Sequence, residues 1–79
     1  MATYIPASRP AKPVSELPLT LAALQILVGG FIEFVELRSG DWLVVNEASH
    51  LAPLNTSATA LAGIPVYGDV VLCEPSDIA

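Results

Sequence analysis

The sequence predicts a small α+β domain: an antiparallel sheet of four to five strands, one principal helix packed on one face, and a second short helix. Three observations carry that prediction. Leu21, Leu24, Leu27 and Val28 recur at helical spacing and stop at Gly29-Gly30. Two runs rich in aromatic and branched residues, 31–37 and 42–46, flank the short polar turn Arg38-Ser39-Gly40-Asp41. A third apolar run, Val70-Val71-Leu72-Cys73, follows the turn residues Tyr67-Gly68-Asp69. Strands joined by such short turns pair antiparallel and leave the helices segregated to one face.

The elements follow in order. Residues 2–5 read as a short strand with Tyr4 and Ile5 on opposite faces. Residues 6–18 hold Pro6, Pro10, Pro13 and Pro18. Proline lacks a ladder donor and disfavours helix in the residue before it, so this stretch reads as a solvated, extended connection. Thr20 is the expected N-cap of the main helix, and Gly29 its left-handed terminus. A helix this short is held by packing, with Leu21, Leu24, Leu27 and Val28 as its apolar stripe.

Residues 31–37 alternate with both faces mostly apolar, which predicts cover on both sides, by the helix on one and by another subunit on the other. Trp42 to Asn46 is the returning strand, and 47–50 a second polar reversal. Leu51-Ala52 starts a further short strand before Pro53. Asn55 or Thr56 caps one or two helical turns reaching Leu61, broken by Gly63-Ile64-Pro65. Residues 70–73 are a buried strand, and 75–79 an acidic tail expected to fray. The chain is thus one domain, 1–79: a strand and proline-rich connection over 1–18, a compact core over 19–74, and the tail.

Composition narrows the function classes. The chain is 53% apolar and 14% charged, against about 25% charged in a typical soluble domain. A domain of 79 residues buries only about 60% of its unfolded surface. So few charges leave apolar patches on a monomer, and the expected partner is a second copy of the chain, in a homo-oligomer. Arg9, Lys12 and Arg38 are the only basic side chains in a formal charge of −5. Polynucleotide binding needs more phosphate-neutralising cations than that, whereas a small nucleotide-type ligand does not. The longest apolar stretch, 17–28, is interrupted by Pro18, Thr20 and Gln25 and falls short of the roughly 20 residues that span a bilayer. With no basic-then-apolar leader at the start, no membrane partner and a cytoplasmic location are expected.

No phosphate-binding glycine loop, zinc-protease helix or metal-ligand spacing occurs, so no catalytic residue, metal or cofactor is expected. His50, beside Ser49 and with Asp41, Glu47 and Asp69 as conceivable orienters, reads as a polar turn histidine. Cys73, alone in an apolar strand, reads as a protonated core thiol. The candidate ligand-binding set is Asn55, Thr56 and Ser57 as polar donors, Arg38 as the cation of the compact region, and Trp42 and Tyr67 as stacking rings.

The run Leu21-x-x-Leu24-Gln25-x-Leu27-Val28-Gly29-Gly30-Phe31-Ile32-Glu33, followed by Asn46-Glu47, Asn55-x-x-Ala58 and Gly68-Asp69-Val70-Val71, resembles a phage and bacterial family known as domain of unknown function 3846. Ala48-Ser49-His50 stands where that family often carries a Gly-Lys turn. The resemblance implies a phage-type protein. By analogy with small phage proteins of this size, the expected function is counter-defence: an oligomer that sequesters a nucleotide-derived immune signal. The alternative is a protein–protein inhibitor acting through an exposed apolar sheet face or edge, and the third reading is a small hydrolase.

Overall fold

The computed structural model describes residues 1–79. Five strands, β1 (Ala2–Ile5), β2 (Lys12–Val14), β3 (Ile32–Glu36), β4 (Trp42–Asn46) and β5 (Val70–Cys73), form one antiparallel sheet in the order β2-β1-β5-β4-β3. Two helices, α1 (Leu21–Val28) and α2 (Thr56–Ala62), complete an α+β fold. No helix is long and apolar enough to cross a membrane.

Alternation along the strands sorts the core into two layers. Ala2, Tyr4, Val44, Val71 and Cys73 point to one face and pack with Leu19, Leu24 and Val28 of the α1 region. Ile5, Leu43, Val45 and Val70 point to the other, against Ala58 of α2 and Val66. The helices therefore lie on opposite faces of the sheet, not segregated to one as the short turns suggested. The reason is the long β4–β5 connection, which carries α2 round to the far side before the chain returns.

α1 starts and stops as its sequence dictates. Thr20 Oγ1 accepts from the Ala23 amide at 3.1 Å, and Gly29 closes the helix at φ 81°. Its buried residues are Leu24 and Val28; Leu21 is 59% exposed and does not belong to the stripe. Gly30 is needed for close approach: a Cβ there would come within 2.9 Å of Asn46 Nδ2, which donates to the Val28 carbonyl at 3.2 Å. The helix end is thereby tied to β4.

Four further expectations are corrected. The proline-rich connection contains a strand, since Val14, Pro13 and Lys12 pair with Ala2, Thr3 and Tyr4. Proline is tolerated because β2 is an edge strand. Leu51-Ala52 is not a strand; the 3-10 turn Ser49–Leu51 ends there. The 75–79 tail is docked: a 3-10 turn at Pro75–Asp77 is capped reciprocally by Glu74 and Asp77, and Leu19 bridges to Ile78. Finally, β3 is the other edge strand, and α1 leaves Phe34 and Glu36 exposed on the face that the helix was expected to cover.

Candidate functional site

Of the six residues expected to bind a ligand, the fold commits one elsewhere and scatters the rest. Asn55 is 1% exposed and fully engaged. Its Nδ2 donates to the carbonyls of Ile5 and Gly68, both at 2.9 Å, while Oδ1 accepts from the Ala58 amide at 3.1 Å. The residue is a helix cap that also pins α2 to β1, and no polar atom of it is left for a ligand. Thr56 and Ser57 are exposed on the first turn of a helix of seven residues. Arg38 lies at the other end of α2, lining a surface depression with Leu61, Gly63 and Ile64. Trp42 is on the α1 face, its ring 5.0 Å from that of Phe34. Tyr67 is half-buried beside the bridge to Leu54. Within one chain these groups form no common site.

His50 is exposed in the 3-10 turn, and neither Asp41, Glu47 nor Asp69 hydrogen-bonds to it. Cys73 is 1% exposed, and burial pushes its thiol up to about 11, with Asp77 and Asp41 adding to the effect. At neutral pH it is a thiol, not a nucleophile.

A different constellation forms at the start of the chain. The β1–β2 hairpin folds Arg9 and Lys12 back onto Tyr4. Lys12 Nζ lies 5.9 Å from the Tyr4 ring centroid, in cation–π range, and Arg9 Nη2 donates to Tyr4 Oη at 3.4 Å. Tyr4 in turn donates to Asp69 Oδ2 at 2.9 Å, and the Ala7 amide donates to Asp69 Oδ1 at 2.9 Å. Burial raises the Tyr4 pKa above that of an ordinary phenol, and the Asp69 carboxylate adds to the rise. Asp69 thus fixes the phenol as a donor and anchors the hairpin.

Arg9 and Lys12 are not themselves spent on carboxylates. The ion pairs of the chain are made by the Met1 ammonium, to Glu74 at 2.8 Å and Asp77 at 3.0 Å. In a chain with eight acidic side chains, two cations meet at one place without an ion-pair partner. Lys12 and Tyr4 border a groove of about 360 Å³ between β2 and α1, walled by Val14, Leu19, Ala23, Ile26 and Leu27 and carrying Glu16 and Ser15 on its rim, while Arg9 lines a separate, smaller depression that shares Tyr4 and Lys12 with it. A pocket with apolar walls and a few polar groups at its mouth is the usual form of a small-molecule site. Sequence reasoning missed it because four prolines marked the segment as linker. The available signal was the alternation Lys12-Pro13-Val14, which would place Lys12 on one face with Val14.

Comparison with family models, with curated proteins and with solved structures found no match for this chain.

Proposed function

We propose that this chain is a small non-catalytic binding protein that self-associates and holds an anionic small molecule bearing an apolar or aromatic body. One observation supports it above the others: Arg9 and Lys12 converge on Tyr4, unpaired with any carboxylate, and Lys12 and Tyr4 line the apolar groove. A charged ligand group loses hydration on binding, and charge-assisted donors offset that loss. The groove walls take the uncharged part. A nucleotide-derived immune signal, bound and withheld by a phage-type counter-defence protein, belongs to this ligand class and is the reading we favour. The resemblance of the helix–Gly-Gly–strand run to the phage and bacterial family is what directs attention to that class.

The test is mass spectrometry of small molecules released on denaturing protein purified from cells with nucleotide-signalling defence, followed by titration calorimetry. A nucleotide released unchanged fits sequestration. Arg9→Ala and Lys12→Ala should each weaken its binding by about tenfold, the size of one charge-assisted hydrogen bond. Loss of affinity in Arg38→Ala, with Arg9→Ala unaffected, would move the site back to the β3–β4 turn.

A second reading, inhibition of another protein through a sheet edge, has its own supporting observation. β3 is an unpaired edge strand, and Phe31 and Phe34 are 70% and 44% exposed on or beside it. Co-purification of a stoichiometric protein partner, with no bound nucleotide, would favour that reading.

A further inference from the structure

We infer that β3 pairs antiparallel with β3 of a second copy, about a two-fold axis through Phe34, joining two five-stranded sheets into one. The inference specifies the self-association proposed above and is independent of the ligand.

The backbone phase of β3 sets the geometry. Leu37 N donates to the Asp41 carbonyl at 2.9 Å, and Glu47 N donates to the Phe31 carbonyl at 3.0 Å. Odd-numbered residues of this strand therefore turn their amides and carbonyls toward β4. Those of Ile32, Phe34 and Glu36 turn outward, along the free edge. A two-fold axis at Phe34 sets Phe34 opposite its own copy and Ile32 opposite Glu36 of the other strand. All three outward residues then fall in hydrogen-bonded pairs, and all five residues of β3 are used.

Side chains and charges agree with this register. On the α1 face the two Phe34 rings meet, extending the Phe34–Trp42 contact into a row of four aromatic rings. On the other face Phe31, 70% exposed, stands opposite Leu37, and Glu33 stands opposite Val35. No carboxylate faces another, although β3 carries two. A shift to an axis at Glu33 keeps the backbone phase but sets Glu33 against its own copy, a repulsive pair. A five-residue contact is at the small end of interfaces, near or under about 1,200 Å² in total, so micromolar rather than nanomolar association is expected.

Phe34→Cys provides the direct test. Hydrogen-bonded antiparallel partners stand about 5.5 Å apart at Cα, inside the range a disulfide spans. Native Cys73, at 1% exposure, does not compete. Under mild oxidation the full-length Phe34→Cys protein should form a disulfide dimer on non-reducing mass analysis, at least tenfold faster than Glu33→Cys. Sedimentation equilibrium of the wild type should show a dimer, and Phe34→Pro, which removes the ring and an outward amide but no hydrogen bond to β4, should be monomeric with an unchanged far-ultraviolet circular dichroism spectrum. A wild-type monomer of 8.3 kDa at several hundred micromolar, or cross-linking of Glu33→Cys as fast as Phe34→Cys, would overturn the inference. If such a monomer still bound a nucleotide, the pairing would fail and the ligand reading would stand.

Discussion

Asn55 Nδ2 donates to the carbonyl of Ile5 at 2.9 Å, joining the first turn of α2 to the end of β1. The same amide reaches Gly68, so one buried side chain fixes a strand, a helix and the turn into β5 relative to one another. β1 ends where the hairpin carrying Arg9 begins, and Gly68 precedes Asp69, the anchor of that hairpin through Tyr4 and Ala7. Asn55 thus acts on the candidate site from a distance, through the backbone that frames it.

Asn55→Ala should cost about 2–4 kcal/mol, combining a lost helix cap with two buried carbonyls left unpaired. Asn55→Asp keeps the cap acceptor but cannot donate to Ile5 or Gly68, and it brings a charge into a buried site, so it should be no milder. Urea denaturation of both variants measures this. A midpoint unchanged in Asn55→Asp would mean that capping alone explains the residue.

Gly29→Val should destabilise the fold by about 1–3 kcal/mol through backbone strain. Gly29 has φ 81°, and nothing lies within 4 Å of where its Cβ would be. The added Cβ meets no neighbour, so the penalty reports chiefly the left-handed conformation that a branched residue resists. Thermal melting is sufficient to read it, and an unchanged melting temperature would exclude this helix terminus.

Removing residues 75–79 should also destabilise, by about 2–4 kcal/mol, as expected for losing a half-buried isoleucine and stranding buried backbone groups. Leu19 N donates to the Asp77 carbonyl at 2.6 Å, and Ala79 N donates to the Leu19 carbonyl at 2.8 Å. Leu19 is itself 1% exposed in the α1-side core. Hydrogen exchange at the Leu19 amide should accelerate in the shortened chain beyond the change at Val44. Equal acceleration at both would report global loss of stability and no local clamp.

What could be read from the sequence, and what could not, follows from the range of the forces involved. The Thr20 cap, the Gly29 terminus, the 38–41 turn and the Asn55 cap are local: each is decided by two to four neighbouring residues, and each stands where its residues place it. The errors lie where distant segments meet. Residues 75–79 look like a frayed end until Leu19, far away in sequence, supplies partners for their backbone. Lys12-Pro13-Val14 looks like linker until β1 offers an edge on which proline's missing donor faces away from the ladder. Asn55 was legible as a cap but also drew a ligand reading, because its exposure depends on Ile5 and Gly68. The Tyr4–Arg9–Lys12 cluster exists only once that hairpin has formed.

The final prediction concerns alkaline pH, where two buried acids report on the α1-side core. Burial, reinforced by Asp77 and Asp41, pushes the Cys73 thiol from an ordinary value near 9 up to about 11. Tyr4 is also shifted upward, by burial first and then by Asp69. Each group holds its proton more tightly in the folded chain than in the unfolded one. Stability from this source is therefore fully present below the ordinary values and declines as pH rises toward the folded ones, because the unfolded state is the first to release protons. Between pH 9 and 11 the Cys73 contribution should fall by on the order of 1–2 kcal/mol. Urea midpoints measured across that window should decline, and Cys73→Ala should flatten the lower part of the decline without abolishing the upper part, which belongs to Tyr4. The thiol should also resist a colorimetric disulfide reagent at pH 8 until urea unfolds the chain. Rapid labelling of the native protein, or a midpoint that rises with pH, would show that Cys73 is not sealed between Ala2, Trp42 and the α1 layer.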